Sequence, residues 1–192
     1  MRVSQKVKDR SGRRIVVSAS RLIRERGVEG ASIDDVMRGA GMTSGGFYRH
    51  FDSKESLISA ALQEAFDQVL SDVEFRCQDA DPTHAVNDFQ SYYLSKQHLR
   101  DRAGGCPVAA LAGELGRGPE TCKLSLTSGV QRMINLIAAG LTGPPRQRRS
   151  EAARRLATMA GAVMIARATN QQTAELILEA TRTSTPAGQK ES

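Results

Sequence analysis

The sequence is poor in the residues that mark several classes of protein. It has no tryptophan, five phenylalanines, three tyrosines and only three cysteines, Cys77, Cys106 and Cys122. An odd number of cysteines without regular spacing argues against a disulfide scaffold, so reduced thiols are expected. The chain has no run of ~18 apolar residues, and its charged start lacks the apolar segment of a signal peptide. We therefore expect a cytoplasmic protein that makes no membrane contact.

The net charge of +6 is concentrated near the beginning of the chain. Residues 1–60 hold twelve Lys or Arg against seven Asp or Glu, whereas the remaining 132 residues hold 15 against 14. A basic head on a nearly neutral body indicates that one end meets a polyanion. Many soluble proteins carry a solvated basic face, so the charge alone leaves open whether these residues bind a polyanion or only face solvent.

Two short helical patterns meet at a glycine turn within residues 32–54. In the first pattern Ser32 has the position of a helix cap, and Gly41 ends the helix. After the turn, Thr43 is expected to cap a second helix in which Phe47 points inward. The outer face then carries small, hydroxyl-bearing and basic residues, namely Ser44, Gly45, Tyr48 and Arg49. This arrangement is typical of a helix-turn-helix.

The run MTSGGFYRHFDSKESL, residues 42–57, resembles the recognition helix and following segment of the TetR family of bacterial transcriptional regulators. A second run, GGCPVAALAGEL at residues 104–115, is similar to a segment of one subgroup of that family. The resemblance implies a homodimeric repressor that binds double-stranded DNA at a near-palindromic operator. It also implies that a small apolar or reactive effector in the C-terminal domain releases the DNA.

The same resemblance assigns DNA contacts residue by residue. Contacts to phosphate, which set position rather than sequence, are expected from Ser32, Thr43, Tyr48, His50 and Lys54. Base reading is expected from Ser44, Gly45, Gly46 and Arg49. Glycine allows the backbone to approach closely, and Arg49 is the candidate for a bidentate contact to guanine.

The remaining patterns predict an all-α fold of about nine helices. The first helix is expected over residues 13–26, with Gly27 as a left-handed cap. It follows a flexible basic arm that either touches phosphates or is a solvated tail, formed by Lys6, Lys8, Arg10, Arg13 and Arg14. A long helix capped by Ser53 extends to about residue 73 and links the head to the body.

Later helices are predicted over residues 85–102, from Pro107 to 115, over 120–141, from a cap at Ser150 to 168, and over 172–181. The predicted domains are a helix-turn-helix DNA-binding domain (1–52), a helical effector-binding and dimerisation domain (53–182) and a disordered tail (183–192). The family resemblance implies that the last two helices pair with their symmetry mates. The alternative is that they only close the monomer core.

An effector pocket is expected where aromatic residues concentrate in the body. The candidate ligand-binding residues are Phe66, Phe89, Tyr92, Tyr93 and Cys106. Apolar residues at helical spacing can equally be plain core. Cys106 lies at a predicted helix start, which favours a thiolate that senses oxidants or electrophiles, whereas the alternative is a small packing residue.

Three other functions are alternatives to that of a regulator. Glycines between residues 39 and 46 resemble a dinucleotide loop, but such loops follow a buried strand and here a polar helical pattern precedes them. A cysteine enzyme would need a base for Cys106, and only His98 offers one. A nucleoid-type protein that binds DNA without sequence choice is the third. We expect no enzyme, no catalytic residue, no cofactor and no metal site.

Overall fold

The computed structural model describes residues 5–76 and 81–183, and these residues fold without any strand. They form nine α-helices: α1 (Gln5–Gly30), α2 (Ile33–Gly39), α3 (Lys54–Arg76), α4 (Pro82–Tyr93), α5 (Lys96–Arg100), α6 (Pro107–Leu115), α7 (Glu120–Ala139), α8 (Pro145–Ala168) and α9 (Gln171–Thr183). A short 3₁₀ helix, Ser44–Arg49, lies between α2 and α3 and is called the recognition segment below. The predicted all-α fold is confirmed. Cys77 and the predicted tail beyond Thr183 lie outside the described residues.

The chain divides into two compact units, Met1–Val69 with Arg102–Val130 and Leu70–Asp101 with Gln131–Ser192. The first unit therefore combines the helix-turn-helix with α6 and the beginning of α7. Among the described helices, none is long and apolar enough to cross a membrane.

The core of the first unit is an apolar cluster that holds the helix-turn-helix against α6. Its largest members come from five elements and are Ile15, Ile23, Met37, Phe47, Leu57, Leu62, Leu111 and Leu115. Full burial of such a side chain stabilises a fold by roughly 1.5–3 kcal/mol, so this cluster is the main force that positions the head.

The expected flexible arm is wrong for the residues that the structure describes. α1 begins at Gln5, and residues 5–14 are helical. Lysine, arginine and glutamine are good helix formers, and extending an existing helix adds one backbone hydrogen bond for each residue fixed. The basic side chains of this segment therefore stand on a helix rather than on a loose tail.

Gly27 interrupts α1 with φ of 79° and ψ of 170°, so the predicted positive φ is found, but ψ is extended rather than that of a left-handed helical cap. The N–H groups of Val28 and Glu29 then donate to the two carboxylate oxygens of Glu114, at 2.9 and 3.0 Å. One carboxylate from α6 thus satisfies two backbone donors at the end of α1.

Arg24 is a second polar tie within the first unit, and its side chain is 3% exposed. Its Nη1 donates to Gly105 O at 3.0 Å, in the turn before α6. Its Nη2 donates to Gln68 Oε1 at 2.6 Å and its Nε to Ser20 O at 3.0 Å. A buried guanidinium is tolerated because several acceptors surround it. The arginine therefore joins α1 to α3 and to the turn that precedes α6.

In the second unit, the helix predicted over residues 85–102 is two helices, α4 and α5. Ser95 Oγ accepts from His98 N at 3.1 Å and caps α5. Arg167 of α8 donates to the carbonyls of His98 and Leu99 at 2.9 and 3.2 Å. A side-chain cap and a cation at the carbonyl end stabilise a helix of only five residues.

Ser150, predicted to cap a helix, lies inside α8. The helix begins at Pro145 with Pro144 as its cap, because proline at a first helical position has no N–H to satisfy and a preset φ. The buried face of α8 is rich in alanine, with Ala152, Ala160, Ala162 and Ala166. Thr183, assigned to the tail, is the last residue of α9.

Gly129 of α7 offers a test of packing in the first unit. A Cβ built on it would lie 2.0 Å from Cδ2 of the buried Phe66 ring, whereas one built on Gly113 of α6 would meet open space. We expect Gly129→Ala to destabilise the protein by about 1–3 kcal/mol through overpacking. Gly113→Ala is the matched control and should stabilise it by up to ~1 kcal/mol through helix propensity. Urea unfolding measures both, and an equal gain from the two substitutions would contradict this packing.

Candidate nucleic-acid interface

α2 is closed at both ends by hydrogen bonds that the sequence anticipates. Ser32 Oγ accepts from Asp35 N at 3.1 Å, so the predicted cap is confirmed. At the other end Gly41 has φ of 68°. Its N–H donates to Arg38 O at 2.9 Å and that of Met42 donates to Met37 O at 2.8 Å, which is the Schellman pattern. The turn between the two helices is therefore fixed by backbone geometry.

The recognition segment is a 3₁₀ helix of six residues, where the sequence predicted a short helix. Thr43 has the cap position, but its hydroxyl makes no capping hydrogen bond. Phe47 is 1% exposed, and its ring stacks on Phe51 with centroids 5.9 Å apart. Because so short a helix has few internal hydrogen bonds, the buried Phe47 is what fixes its orientation.

The predicted contact residues stand around this anchor. Tyr48 is 75% exposed and its ring meets Phe47 edge-on at 5.1 Å. The other exposed members of the predicted set are Ser32, Thr43, Ser44, Gly45 and Arg49. Gly46 and His50 are half-buried, and an added Cβ on Gly46 would lie 3.5 Å from Met37 Cε, so Gly46 also packs on α2.

The N-terminus of α3 lies just beyond the recognition segment. Ser53 Oγ accepts from Ser56 N at 3.1 Å, and Ser56 Oγ accepts from Ser53 N at 3.3 Å, so the predicted Ser53 cap is confirmed and is reciprocal. Hydrogen bonds from its own backbone N–H and from Ser53 hold the pKa of the Glu55 carboxyl below its usual value. This end therefore favours negative charge, and half-buried Lys54 is its first residue.

The arrangement can grip a phosphate backbone and present a side chain to base edges. Exposed hydroxyls, a guanidinium and a helix N-terminus are the groups that proteins use on DNA phosphates and bases. The residues that sequence reasoning assigned to DNA contact lie at the start of α2, in the recognition segment and its flanking residues, and at the start of α3. Sequence reasoning named Arg10, Arg13 and Arg14 only as part of a flexible basic arm, and it missed the arginines that continue this flank, Arg21 and Arg26 of α1 and Arg38 of α2.

The predicted effector residues fall in both units. In the first, Phe66 is fully buried, and Cys106 is the buried cap residue of α6 without a side-chain capping bond. In the second, Phe89 and Tyr93 meet edge-on with centroids 5.6 Å apart. The contact of Tyr93 with His98, at 4.5 Å, was not foreseen.

His98 is the polar member of this aromatic group. Its Nδ1 lies 2.6 Å from Tyr93 O. Burial lowers the pKa of its imidazole, against the opposing effect of that carbonyl. His98 is therefore held neutral, as a buried aromatic side chain, and Tyr92 lies 5.7 Å from it.

Comparison with known proteins gives a consistent result. The family model described as bacterial regulatory proteins, tetR family, matches residues 15–61. The chain is 29% identical over 101 residues to the HTH-type transcriptional repressor DhaR of Mycobacterium sp. (strain GP1), a match covering 53% of this chain and 50% of that protein. It is 28% identical over 165 residues to the uncharacterized HTH-type transcriptional regulator Rv0196 of Mycobacterium tuberculosis, covering 80% and 82%.

The fold is also shared with solved structures. The reduced form of Escherichia coli NemR superposes with a TM-score of 0.73 at 19% identity, covering 92% of this chain and 98% of that one. The chain spans about half the length of DhaR. The family model falls on α1, α2, the recognition segment and the start of α3, which together build the surface described above. Residues 15–61 thus form a helix-turn-helix head of the TetR family of bacterial regulatory proteins, and over 80% of its length the chain is similar to a helix-turn-helix transcriptional regulator.

Proposed function

We propose that this regulator is a repressor that binds a near-palindromic operator as a homodimer and releases it when an effector occupies the body. Regulators of this family bind DNA and small-molecule effectors, are dimeric, and are typically non-enzymatic. The observation that carries the proposal is the recognition segment, in which buried Phe47 presents exposed Tyr48 and Arg49. The name of DhaR supports repression.

Within this proposal the contact residues divide by chemistry. Ser32, Thr43, Tyr48, His50 and Lys54 bind phosphates, and Ser44, Gly45, Gly46 and Arg49 face base edges. The exposure of Tyr48 and Arg49 supports these roles, because a contact residue must be free of the core. The open space around Gly45 supports close approach of backbone to DNA.

Two substitutions distinguish a phosphate contact, which positions the protein on DNA, from a base contact, which reads the DNA sequence. Lys54→Ala should weaken binding to every sequence alike and lower the slope of log affinity against log salt by about 1. Arg49→Ala should cost ~1–3 kcal/mol on the operator and relax discrimination at one base pair. Lys123→Ala, a surface lysine of α7, is the matched control and should change nothing. Fluorescence anisotropy over a salt series makes the measurement, and an unchanged slope for Lys54→Ala would remove its phosphate role.

The body is proposed as the effector-binding and dimerisation domain of residues 53–182. Three large apolar side chains on α8 and α9 are exposed in the single chain, namely Met164, Ile165 and Leu176. An exposed apolar face on two paired helices supports a four-helix interface with a second copy. Such a dimer spaces two recognition segments on one face of DNA, which is why a palindrome is proposed.

The dimer is best tested at Leu176, which is 67% exposed, rather than at Ala160, which is buried within the chain. Leu176→Arg should leave the monomer folded and yield monomers in light scattering. These monomers should bind the operator poorly, because a single head lacks the avidity of two linked heads. Gln97→Arg, exposed on α5, adds the same charge elsewhere and should stay dimeric. Wild-type protein that is monomeric at micromolar concentration would contradict the proposal.

The effector is proposed to be a small apolar or reactive molecule near Phe66, Phe89, Tyr92, Tyr93 or Cys106. Only a difference in effector affinity between the DNA-bound and free forms can release the operator, and ~1–3 kcal/mol is a typical coupling. The aromatic cluster of Phe89, Tyr93 and His98 supports an apolar ligand.

A thiol test decides whether the signal is covalent. If Cys106 is the sensor, a thiol alkylator should release wild type and Cys122→Ser from the operator but leave Cys106→Ser bound. Both cysteines are buried, so the reaction should be slow and limited by local opening. Operator binding followed during alkylation gives the answer. Equal release of all three proteins would make Cys106 a packing residue and assign the reaction to the remaining thiol, Cys77. Release of none would make Cys106 a packing residue and assign the signal to a noncovalent ligand.

A further inference from the structure

An open groove of about 780 Å³ lies on the surface of the first unit, between α1 and α2. Six arginines line it: Arg10, Arg13, Arg14, Arg21, Arg26 and Arg38. Two carboxylates, Glu25 and Asp35, also line it, which leaves a net charge of +4. We call this the arginine groove.

Most of these arginines have no carboxylate partner among the residues that the structure describes. Asp35 pairs with Arg38 at 3.1 Å and with Arg26 at 3.8 Å, and Glu25 lies 3.9 Å from Arg26. Among the residues that the structure describes, no carboxylate lies within 4.0 Å of the other four, Arg10, Arg13, Arg14 and Arg21. Clustered like charges repel one another, so an anion from outside the chain would stabilise the groove.

The unpaired arginines form a row along one helix. Arg10, Arg14 and Arg21 are separated by four and seven residues, which places them on one face of α1. At 1.5 Å per residue the row is ~16 Å long. Arg38 stands opposite on α2. An elongated row of guanidinium groups with one more across from it suits an extended polyanion better than a single compact anion.

The groove begins beside the recognition surface and leads away from it. A Cβ added to Gly41, in the turn, would lie 2.6 Å from Arg14 Nη2. A Cβ added to Gly39 would lie 2.4 Å from Ser18 Oγ of α1. Gly46 of the recognition segment instead approaches α2 at Met37. Both α1 and the recognition segment therefore pack on α2, at different residues of that helix.

We propose that the arginine groove binds the phosphate backbone of DNA outside the bases that the recognition segment reads. The inference rests on the proposed function, since a DNA-binding regulator brings a long phosphate backbone to the near end of the groove. Arginine donates two parallel hydrogen bonds to a phosphate, and all six basic residues of the groove are arginine. The backbone comes either from DNA that flanks the operator or from a second duplex.

Duplexes of two lengths test this inference. The short duplex is the operator cut to its protected region, and the long one extends it by about one and a half helical turns of random sequence on each side. Wild type should bind the long duplex roughly tenfold more tightly. The double variant Arg21→Gln with Arg38→Gln should lose this advantage and about 2 units of salt slope, while its binding to the short duplex is unchanged.

A second experiment distinguishes flanking DNA from a second duplex as the source of the phosphates. A labelled random duplex is added to wild-type protein saturated with the short operator. Capture of the random duplex identifies a second duplex as the occupant, and a length effect without capture identifies flanking DNA. The control variant, Arg117→Gln with Arg146→Gln, removes two arginines outside the groove and should behave like wild type. Thermal unfolding checks that every variant is folded.

Several outcomes would overturn the inference. Equal affinity of wild type for the two lengths, without capture in trans, would leave the groove as a solvated surface. Equal weakening of the double variant on both lengths would place Arg21 and Arg38 within the base-reading contact. Groove-dependent binding of polyglutamate without any effect on DNA would assign the groove to an acidic protein. Failure of wild type to prefer operator over random short duplexes would instead contradict the proposed function.

Discussion

Burial of the Phe47 side chain is the interaction on which the recognition surface depends. A 3₁₀ helix of six residues cannot hold its own orientation, and Thr43 contributes no capping bond to it. Phe47 is therefore set into the core with Met37, and Tyr48 and Arg49 are carried outward by the same backbone. Apolar packing on one side of the recognition segment fixes the position of the polar side chains on its other side.

The head is in turn held by residues that come much later in the chain. Glu114 accepts two backbone hydrogen bonds at the end of α1, and Arg24 reaches Gly105 in the turn before α6. Leu111 and Leu115 belong to the same apolar cluster as Phe47. A change in α6 or in the turn before it therefore acts on helices that the DNA-binding surface needs. Cys106, next to Gly105, lies at this junction within the first unit.

Features with local causes were predictable from the sequence. The caps at Ser32 and Ser53, the positive φ of Gly27 and Gly41, and the start of α6 at Pro107 all follow from residues within one turn of the helix end. The errors arose where two local rules competed. Ser150 is a favourable N-cap residue, but Pro145, five residues earlier, is a favourable first residue of a helix. The helix that begins at Pro145 continues through Ser150 without a break.

Other features depend on contacts between distant residues and could not be read from patterns. The carbonyl end of α5 is held by Arg167 of α8, and the tie of Glu114 to Val28 spans more than eighty residues. The arginine groove is an intermediate case. The spacing of its arginines along α1 was visible, but only folding places Arg38 across from them.

The central claim is that paired heads read a two-fold symmetric operator. Its most direct test is to sequence the fragments that the protein retains from the genomic DNA of its own source organism. The account predicts a shared inverted repeat whose half-sites lie about 10–10.5 base pairs, or a multiple of one turn, apart. Retained fragments without a common motif, bound no more tightly than random DNA, would contradict it and favour a nucleoid-type protein.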